Sequence, residues 1–587
     1  MARHRIESLC GIGMGLLLFA CEGGSANDPG GMQDTARAGE PLAMIGADWP
    51  YGRVPVCYES PNGAPVSRAT LPNVAAANWP SVAEVDFFGW GDCTGTNGAP
   101  SLPNGTVGVQ ILGSILTPDW SGCLPFGYYS NAPNHLKIVE NVIEPGYAGH
   151  EFGHALGFMH EMERQDFANQ GGSCQSSSKN ASDTLGTPPD PSGLMAATGY
   201  CNGYSYLDNW DMMGVQRAYG ARRVINNGAL ALVNSKIYRN HPESARELYS
   251  FVNDSTGTRY AFWNGKSWSW VNRGQSGGSA FGAPSVTTFR ATNGTRYIHA
   301  YSRNSNGTLA VQWRTGTTWS QGTLVGAPAS EPSAVNYAAQ DGGIRAYVFY
   351  KTSDGQLGVT WYDGGSWRST YVDVGKTVAG RPSAVTTPNE NGVQELRVFY
   401  RGTDNNPQMV WWDGTQWNRK AISTAANMGA DPEAHLVISP LNGLRLYSVV
   451  FPSTSGGLQG AWYDGTSWHD AAIPSLALMS QRVTEASGID TDGVRRAWVA
   501  GLGTNGNVSL SYSDGTSWYS YDVGRPTGTV LTGVPQVLAH ETASGARRVN
   551  IFVTACNTAR NCAASIGSRL YTFYWNGNAW QWGDLGW

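Results

Sequence analysis

The chain has 587 residues and a net charge of −5, with charged residues at 14% and aromatic residues at 11%. Disordered chains are rich in charge and poor in aromatic side chains, so bulk disorder is excluded, and the length calls for at least two domains. No basic stripe of clustered Lys and Arg is present, which excludes nucleic acid as the partner. The 75 Gly and 23 Trp suggest many short strands joined by tight turns. Five Trp (Trp49, Trp79, Trp90, Trp120 and Trp210) precede residue 225 and the other eighteen follow it, so two unlike regions share one composition.

Arg3, His4 and Arg5 precede an apolar run from Ile12 to Ala20. That run is too short to span a bilayer and reads as an export signal. Its end, Leu18-Phe19-Ala20-Cys21, resembles a bacterial lipobox. The resemblance implies cleavage before Cys21 and lipidation of it, so residues 1–21 are a lipoprotein signal peptide and 22–47 a flexible tether or short pro-segment. The expected location is a bacterial outer membrane, a cell surface or the secreted medium, with membrane contact through the lipid anchor only. Export implies an oxidising compartment in which Cys residues pair. Cys556 with Cys562, Cys93 with Cys123, and Cys174 with Cys201 are the expected disulfides, which leaves an odd Cys over.

Residues 150–166 read HEFGHALGFMHEMERQD. Small and apolar residues without Pro predict a helix over about 145–156. His150 and His154, four apart, share one face of it. Glu151 is placed to act as general base on a metal-bound water. Gly157 suits a helix stop, after which the chain returns His160 as a third ligand and leaves a fourth position open.

The string matches HExxHxxGxxH and resembles the metzincins. Glu161, Arg164 and Asp166 look like the astacin subgroup, and HEFGHALGF is equally usual in matrixin-type domains. The resemblance implies an α+β zincin catalytic domain over residues 48–220. It also implies one catalytic Zn2+ held by His150, His154 and His160, and a zinc metalloendopeptidase acting on a protein or peptide substrate. Met195 is the expected Met-turn, preferred over Met212 and Met213 in an expected closing helix at 207–220. Ala197 stands where astacins carry a tyrosine, and Tyr200 is the nearest candidate for that transition-state role. Val54-Pro55-Val56 resembles the first strand of such domains, and the alternation from His135 to Glu140 suits an edge strand that aligns substrate.

After a linker at 221–227, residues 228–587 repeat. An aromatic residue, then Asp-Gly or a close variant, then Trp recurs, ending at Trp268, Trp319, Trp367, Trp417, Trp468, Trp518 and Trp580. Asp-Gly and Asn-Gly between apolar runs favour tight hairpins. Seven units of ~50 residues with about four strands each predict an all-β seven-bladed propeller. The repeats resemble bacterial fucose-binding propeller lectins of the PLL type, which implies carbohydrate of fucose type as a partner. The last Trp of each motif is expected to fill the space between blades, whereas Trp361, Trp411 and Trp462 are the aromatic candidates for stacking on sugar. No sugar-binding residue is assigned. The expectation is a multidomain monomer: an anchored zinc peptidase whose propeller holds glycan, substrate or surface. The alternative is a non-catalytic glycan- or protein-binding surface lipoprotein with a vestigial protease domain.

Overall fold

The computed structural model describes residue 49, segments between residues 52 and 219, and most of residues 230–585. Residues 1–48, with Cys21, lie outside the described residues, as do Tyr200, Cys174, Cys201 and Cys562. Among the described residues no helix is long and apolar enough to cross a membrane.

Among the described residues the N-terminal part holds a five-stranded sheet and three named short helices, and Asp211, Gly214, Val215, Ala218 and Tyr219 are helical as well. The strands are β1 (Arg53–Tyr58), β2 (Asp86–Asp92), β3 (Val109–Leu112), β4 (Gly122–Leu124) and β5 (Asn134–Lys137), in the order β2-β1-β3-β5-β4. The helices are α1 (Leu71–Ala77), α2 (Trp79–Val82) and α3 (Pro145–Ala155). Strand β1 pairs in parallel on both sides and is buried throughout, as expected where a parallel sheet is covered on both faces. Its Val54 and Val56 join Trp49, Trp79, Phe152, Met195 and Tyr219 in one core.

That core also holds the end of α3. The indole Nε1 of Trp49 donates to Ala155 O at 2.7 Å, and the Tyr219 hydroxyl donates to Leu156 O at 2.7 Å. Two carbonyls left over at a helix terminus are thereby satisfied. Gly157 follows with φ of 100°, the left-handed geometry that makes Gly the stop there.

Two local expectations change. The strand expected at the sheet edge is β5, but β4 pairs with it antiparallel and takes the edge. Cys93 pairs with Cys57, at a Cα–Cα distance of 5.0 Å, not with Cys123. The sheet order gives the reason. Cys57 lies on β1 and Cys93 just past its neighbour β2, whereas Cys123 is on β4 at the opposite edge. Four strand spacings of about 4.8 Å far exceed the reach of a disulfide.

The remaining strands form seven sheets, at residues 230–272, 280–324, 333–372, 383–421, 433–473, 484–524 and 529–584. These are the seven blades of an all-β propeller, numbered here 1 to 7. Blades 1 to 6 are four-stranded antiparallel meanders, and blade 7 has a fifth strand. The outer hairpin closes through the repeated aspartate. Asp413 Oδ1 accepts from Thr415 N at 2.8 Å and Gln416 N at 2.9 Å, while Gly414 takes φ of 103°. Asp363, Asp464 and Asp514 do the same in their blades. The backbone N–H of Gln416, with the donors of Thr415 and Asn418, holds the Asp413 carboxyl well below its ordinary value.

A depressed native value means a contribution to stability that is complete above the unfolded value of 3.8 and fades as pH falls further. Asp413→Ala is therefore expected to lower the thermal midpoint at neutral pH, with a deficit that shrinks below about pH 4. Melts of both proteins across that range check this; a deficit that does not change with pH would count against the turn as its source.

Each seam between blades has its own apolar cluster. Blades 1 and 2 share Tyr249, Phe251 and Ile298, 2 and 3 share Tyr301 and Val348, and 3 and 4 share Phe349 and Val398. Blades 4 and 5 share Phe399 and Val449, 5 and 6 share Val450 and Val499, and 6 and 7 share Trp498 and Ile551. The ring closes where Leu248, Val252 and Ala261 of blade 1 meet Leu538, Phe552 and Leu570 of blade 7. The last Trp of a motif is the filler, as the repeat implied. Trp319 stacks on Tyr260 at 4.8 Å, Trp367 meets Tyr301 at 6.0 Å, Trp417 meets Phe349 at 5.9 Å and Trp468 meets Phe399 at 5.9 Å, each reaching the preceding blade. Trp268 meets Phe552 at 5.8 Å across the closing seam.

Candidate functional site

Helix α3 brings His150 and His154 onto one face, and the turn at Gly157 returns His160 to them. One ring nitrogen from each lies within 4.8 Å of the others, which makes this the group of described residues with metal-ligand geometry. Each Nδ1 has a protein partner: Leu194 O for His150 at 2.7 Å, Phe158 O for His154 at 2.7 Å, and Glu163 Oε2 for His160 at 3.2 Å. Met195 packs beneath, so close that a Cβ on Gly153 would stand 2.4 Å from its Sδ. Asp211 fixes the Met195 turn by accepting from Leu194 N at 2.6 Å.

Burial dominates the electrostatics. It lowers the His150 imidazole to about 4 and the His154 imidazole well below its ordinary value, with the neighbouring imidazoles adding to both shifts. Burial also raises the Glu151 carboxyl to about 8, and its Oε2 has no hydrogen-bond partner. Near neutral pH the His150 and His154 rings are therefore neutral beside a protonated Glu151.

On the propeller, the aromatic candidates separate. Trp462 is buried, its ring 5.6 Å from that of His469 and stacked on it. Trp361 and Trp411 are half-buried. Across the outer hairpin Trp361 stands opposite Arg368, and Trp411 opposite Asn418. Both polar partners are tied to the turn aspartate, Arg368 Nε to Asp363 Oδ2 at 2.8 Å and Asn418 Nδ2 to Asp413 Oδ2 at 2.8 Å. The repeat singled out the aromatics and the aspartates. It gave no role to the residue after the last Trp, although its shared position in every unit was the available signal.

No known protein-family profile matches the chain, and no curated protein does. Solved structures do. A lectin from Burkholderia pseudomallei is 17% identical over 61% of this chain and 98% of the lectin, with a TM-score of 0.45. The Aleuria aurantia lectin in complex with α-methyl-L-fucoside is 19% identical over 51% of this chain and 93% of the lectin, with a TM-score of 0.37. A fucose lectin from Kordia zhangzhouensis in complex with methyl-fucoside is 24% identical over 24% of this chain and 99% of the lectin, with a TM-score of 0.22. The seven-bladed ring itself rests on the sheets and seams described above.

The expected zinc metallopeptidase and its single catalytic Zn2+ are corrected on these findings. The solved structures named above are lectins and none of them is a peptidase, and the described residues are mostly strand. Converging imidazoles alone are not evidence of a bound metal. His154 Nε2 and His160 Nε2 lie 3.2 Å apart, and each Nδ1 is occupied by its own protein partner. What stands is a seven-bladed propeller.

Proposed function

We propose that the chain is a non-catalytic glycan-binding protein whose propeller carries the binding faces, with fucose-type sugars as the ligand class. The observation behind this reading is the recurring pair of a half-buried ring and an anchored polar side chain, Trp361 with Arg368 and Trp411 with Asn418. A flat ring suits the C–H face of a pyranose, and a polar group of fixed direction suits its hydroxyls. The fucosides bound by two of the similar lectins are consistent with it. In this reading residues 48–220, with His150, His154, His160, Glu151 and Met195, form a non-catalytic unit. Lipidation at Cys21 holds the chain at a bacterial surface, an assignment supported by the apolar run before it.

The test uses the full chain on an array of fucosylated and unfucosylated glycans. Signal on the fucosylated set is expected, falling about fivefold or more in Trp361→Ala/Trp411→Ala, the loss of one stacked ring being worth about 1 kcal/mol or more. A blank array from a folded chain would overturn the glycan reading. The non-catalytic half has its own control: cleavage of a denatured protein by the wild type but not by Glu151→Gln would overturn it.

A further inference from the structure

The inner strands of successive blades are joined by a repeated hydroxyl bond. Ala334 N donates to Ser285 Oγ at 2.9 Å, Ala384 N to Ser333 Oγ at 2.9 Å, Ala434 N to Ser383 Oγ at 2.9 Å, and Val537 N to Thr484 Oγ1 at 3.1 Å. These bonds span the seams 2/3, 3/4, 4/5 and 6/7. At seam 5/6 both positions change character. Glu433 stands where blades 2, 3, 4 and 6 carry Ser or Thr, and Glu485 stands where blades 2, 3, 4, 5 and 7 carry Ala or Val. Both carboxyls are buried, at 3% exposure each.

Glu433 is held by cations from the blades on either side. Its Oε2 accepts from Arg381 Nη1 at 3.2 Å, and Arg482 Nη1 lies 3.9 Å from it. Arg482 also reaches Glu331 Oε2 at 3.2 Å, so blades 3, 4, 5 and 6 meet in one charged cluster. No hydroxyl bond joins residues 433 and 485 among the described residues. The polar contact made there instead is the Ser448 hydroxyl, at 3.3 and 3.2 Å from the two oxygens of Glu485.

The groups around Glu485 are Ser448 and Glu433 of blade 5 and, at the head of its own strand, Arg482. His435 of blade 5 is taken up by the Ser487 hydroxyl at 2.7 Å. On the neighbouring strand of blade 6, Val499 stands opposite Glu485, and Arg496 is bonded to Tyr512. On the inner strand of blade 7, the side chains of His540 and Glu541 lie outside the described residues.

We infer that seam 5/6 is a proton-controlled joint of the ring, closed while the Glu485 carboxyl keeps its proton and loosened when it ionises beside Glu433. The geometry makes this seam unlike its neighbours: it exchanges a hydroxyl bond and an apolar side chain for two buried acids, of which only one has cations. Burial, with Glu433 adding to it, raises the Glu485 carboxyl to about 8, against the opposing effect of the Ser448 donor. The unfolded group ionises near 4.5. The native state therefore holds the extra proton between these values, and the stability of the seam falls as pH rises from about 4.5 to about 8.

Hydrogen exchange of the full chain at about pH 6 and about pH 9, corrected for the intrinsic rate, tests the joint on either side of the native transition. Protection of the inner strands Glu433–Ile438 and Thr484–Ile489 is expected to fall about a hundredfold more than that of Ser333–Ala338 and Ser383–Pro388, the factor of the two pH units between 6 and the native value of about 8. Glu485→Gln is expected to remove that excess. Glu485→Ala, which restores the residue of three other blades, is the second variant should Gln fail to fold. An equal loss of protection at every seam, or a pH response retained in either variant, would overturn the inference.

Discussion

Phe552→Ala is expected to destabilise the propeller by about 3–5 kcal/mol, the range for truncating a large buried aromatic. Phe552 is 1% exposed and faces the Trp268 ring across the seam between the first and last blades. The chain does not run through that seam, so side-chain packing is what closes the ring there. The cavity would lie between Leu248, Val252 and Ala261 on one side and Leu538 and Leu570 on the other. Denaturant unfolding, followed by the shift of Trp fluorescence, measures the effect. Trp582→Ala is the control: this ring is 47% exposed and its loss is expected to stay within about 0.5 kcal/mol. Similar costs for the two variants would mean that seam 7/1 does not hold the ring shut.

Cys57→Ser/Cys93→Ser is expected to cost the N-terminal unit about 3–4 kcal/mol, because the bond closes a loop with a sequence separation of 36 and loop closure restricts the unfolded chain. The bond ties β1 to the end of β2, and β1 is the strand that carries Val54 and Val56 into the core. Fragments from limited proteolysis should arise first within residues 52–219, while those of residues 230–585 keep their rate. The double variant is preferred to added reductant because Cys556 is disulfide-bonded as well. Unchanged resistance of the N-terminal unit would show that its core, and not the bond, sets its stability.

Particular residues show which features could be read before the fold was known. Helix α3 ends at Ala155 and Gly157 takes a positive φ, both written into small residues with no Pro after Pro145, followed by Gly. The blade hairpins were equally legible, since an Asp that accepts from the N–H groups two and three residues on needs only itself, a Gly and a polar neighbour. The grouping of His150, His154 and His160 followed from helical spacing and one turn. Its chemistry did not follow from that grouping. The same three rings that match a metal-ligand pattern each have Nδ1 taken up by Leu194, Phe158 or Glu163.

Other features escaped a reading of motifs. Cys93 chose Cys57 because β1 and β2 are neighbours in a sheet whose order no local signal sets. Trp361 and Trp462 occupy the same place in the repeat, yet one is half-buried and the other buried. Glu433 and Glu485 look like ordinary acids in a polar stretch until the blades are superposed on one another.

By itself the sequence determined the unit: about four short strands, a Gly-containing turn and a Trp, repeated seven times, with an aspartate in the turn of four of them. Those are short-range matters, governed by backbone sterics and hydrogen bonds within a few residues. The tertiary structure alone decided what each unit meets, because those partners lie about fifty residues apart along the chain or, at the closing seam, at its two ends. Tyr260 under Trp319, Phe552 against Trp268 and Glu485 beside Glu433 are products of ring closure, in which side chains distant in sequence are packed together and removed from water.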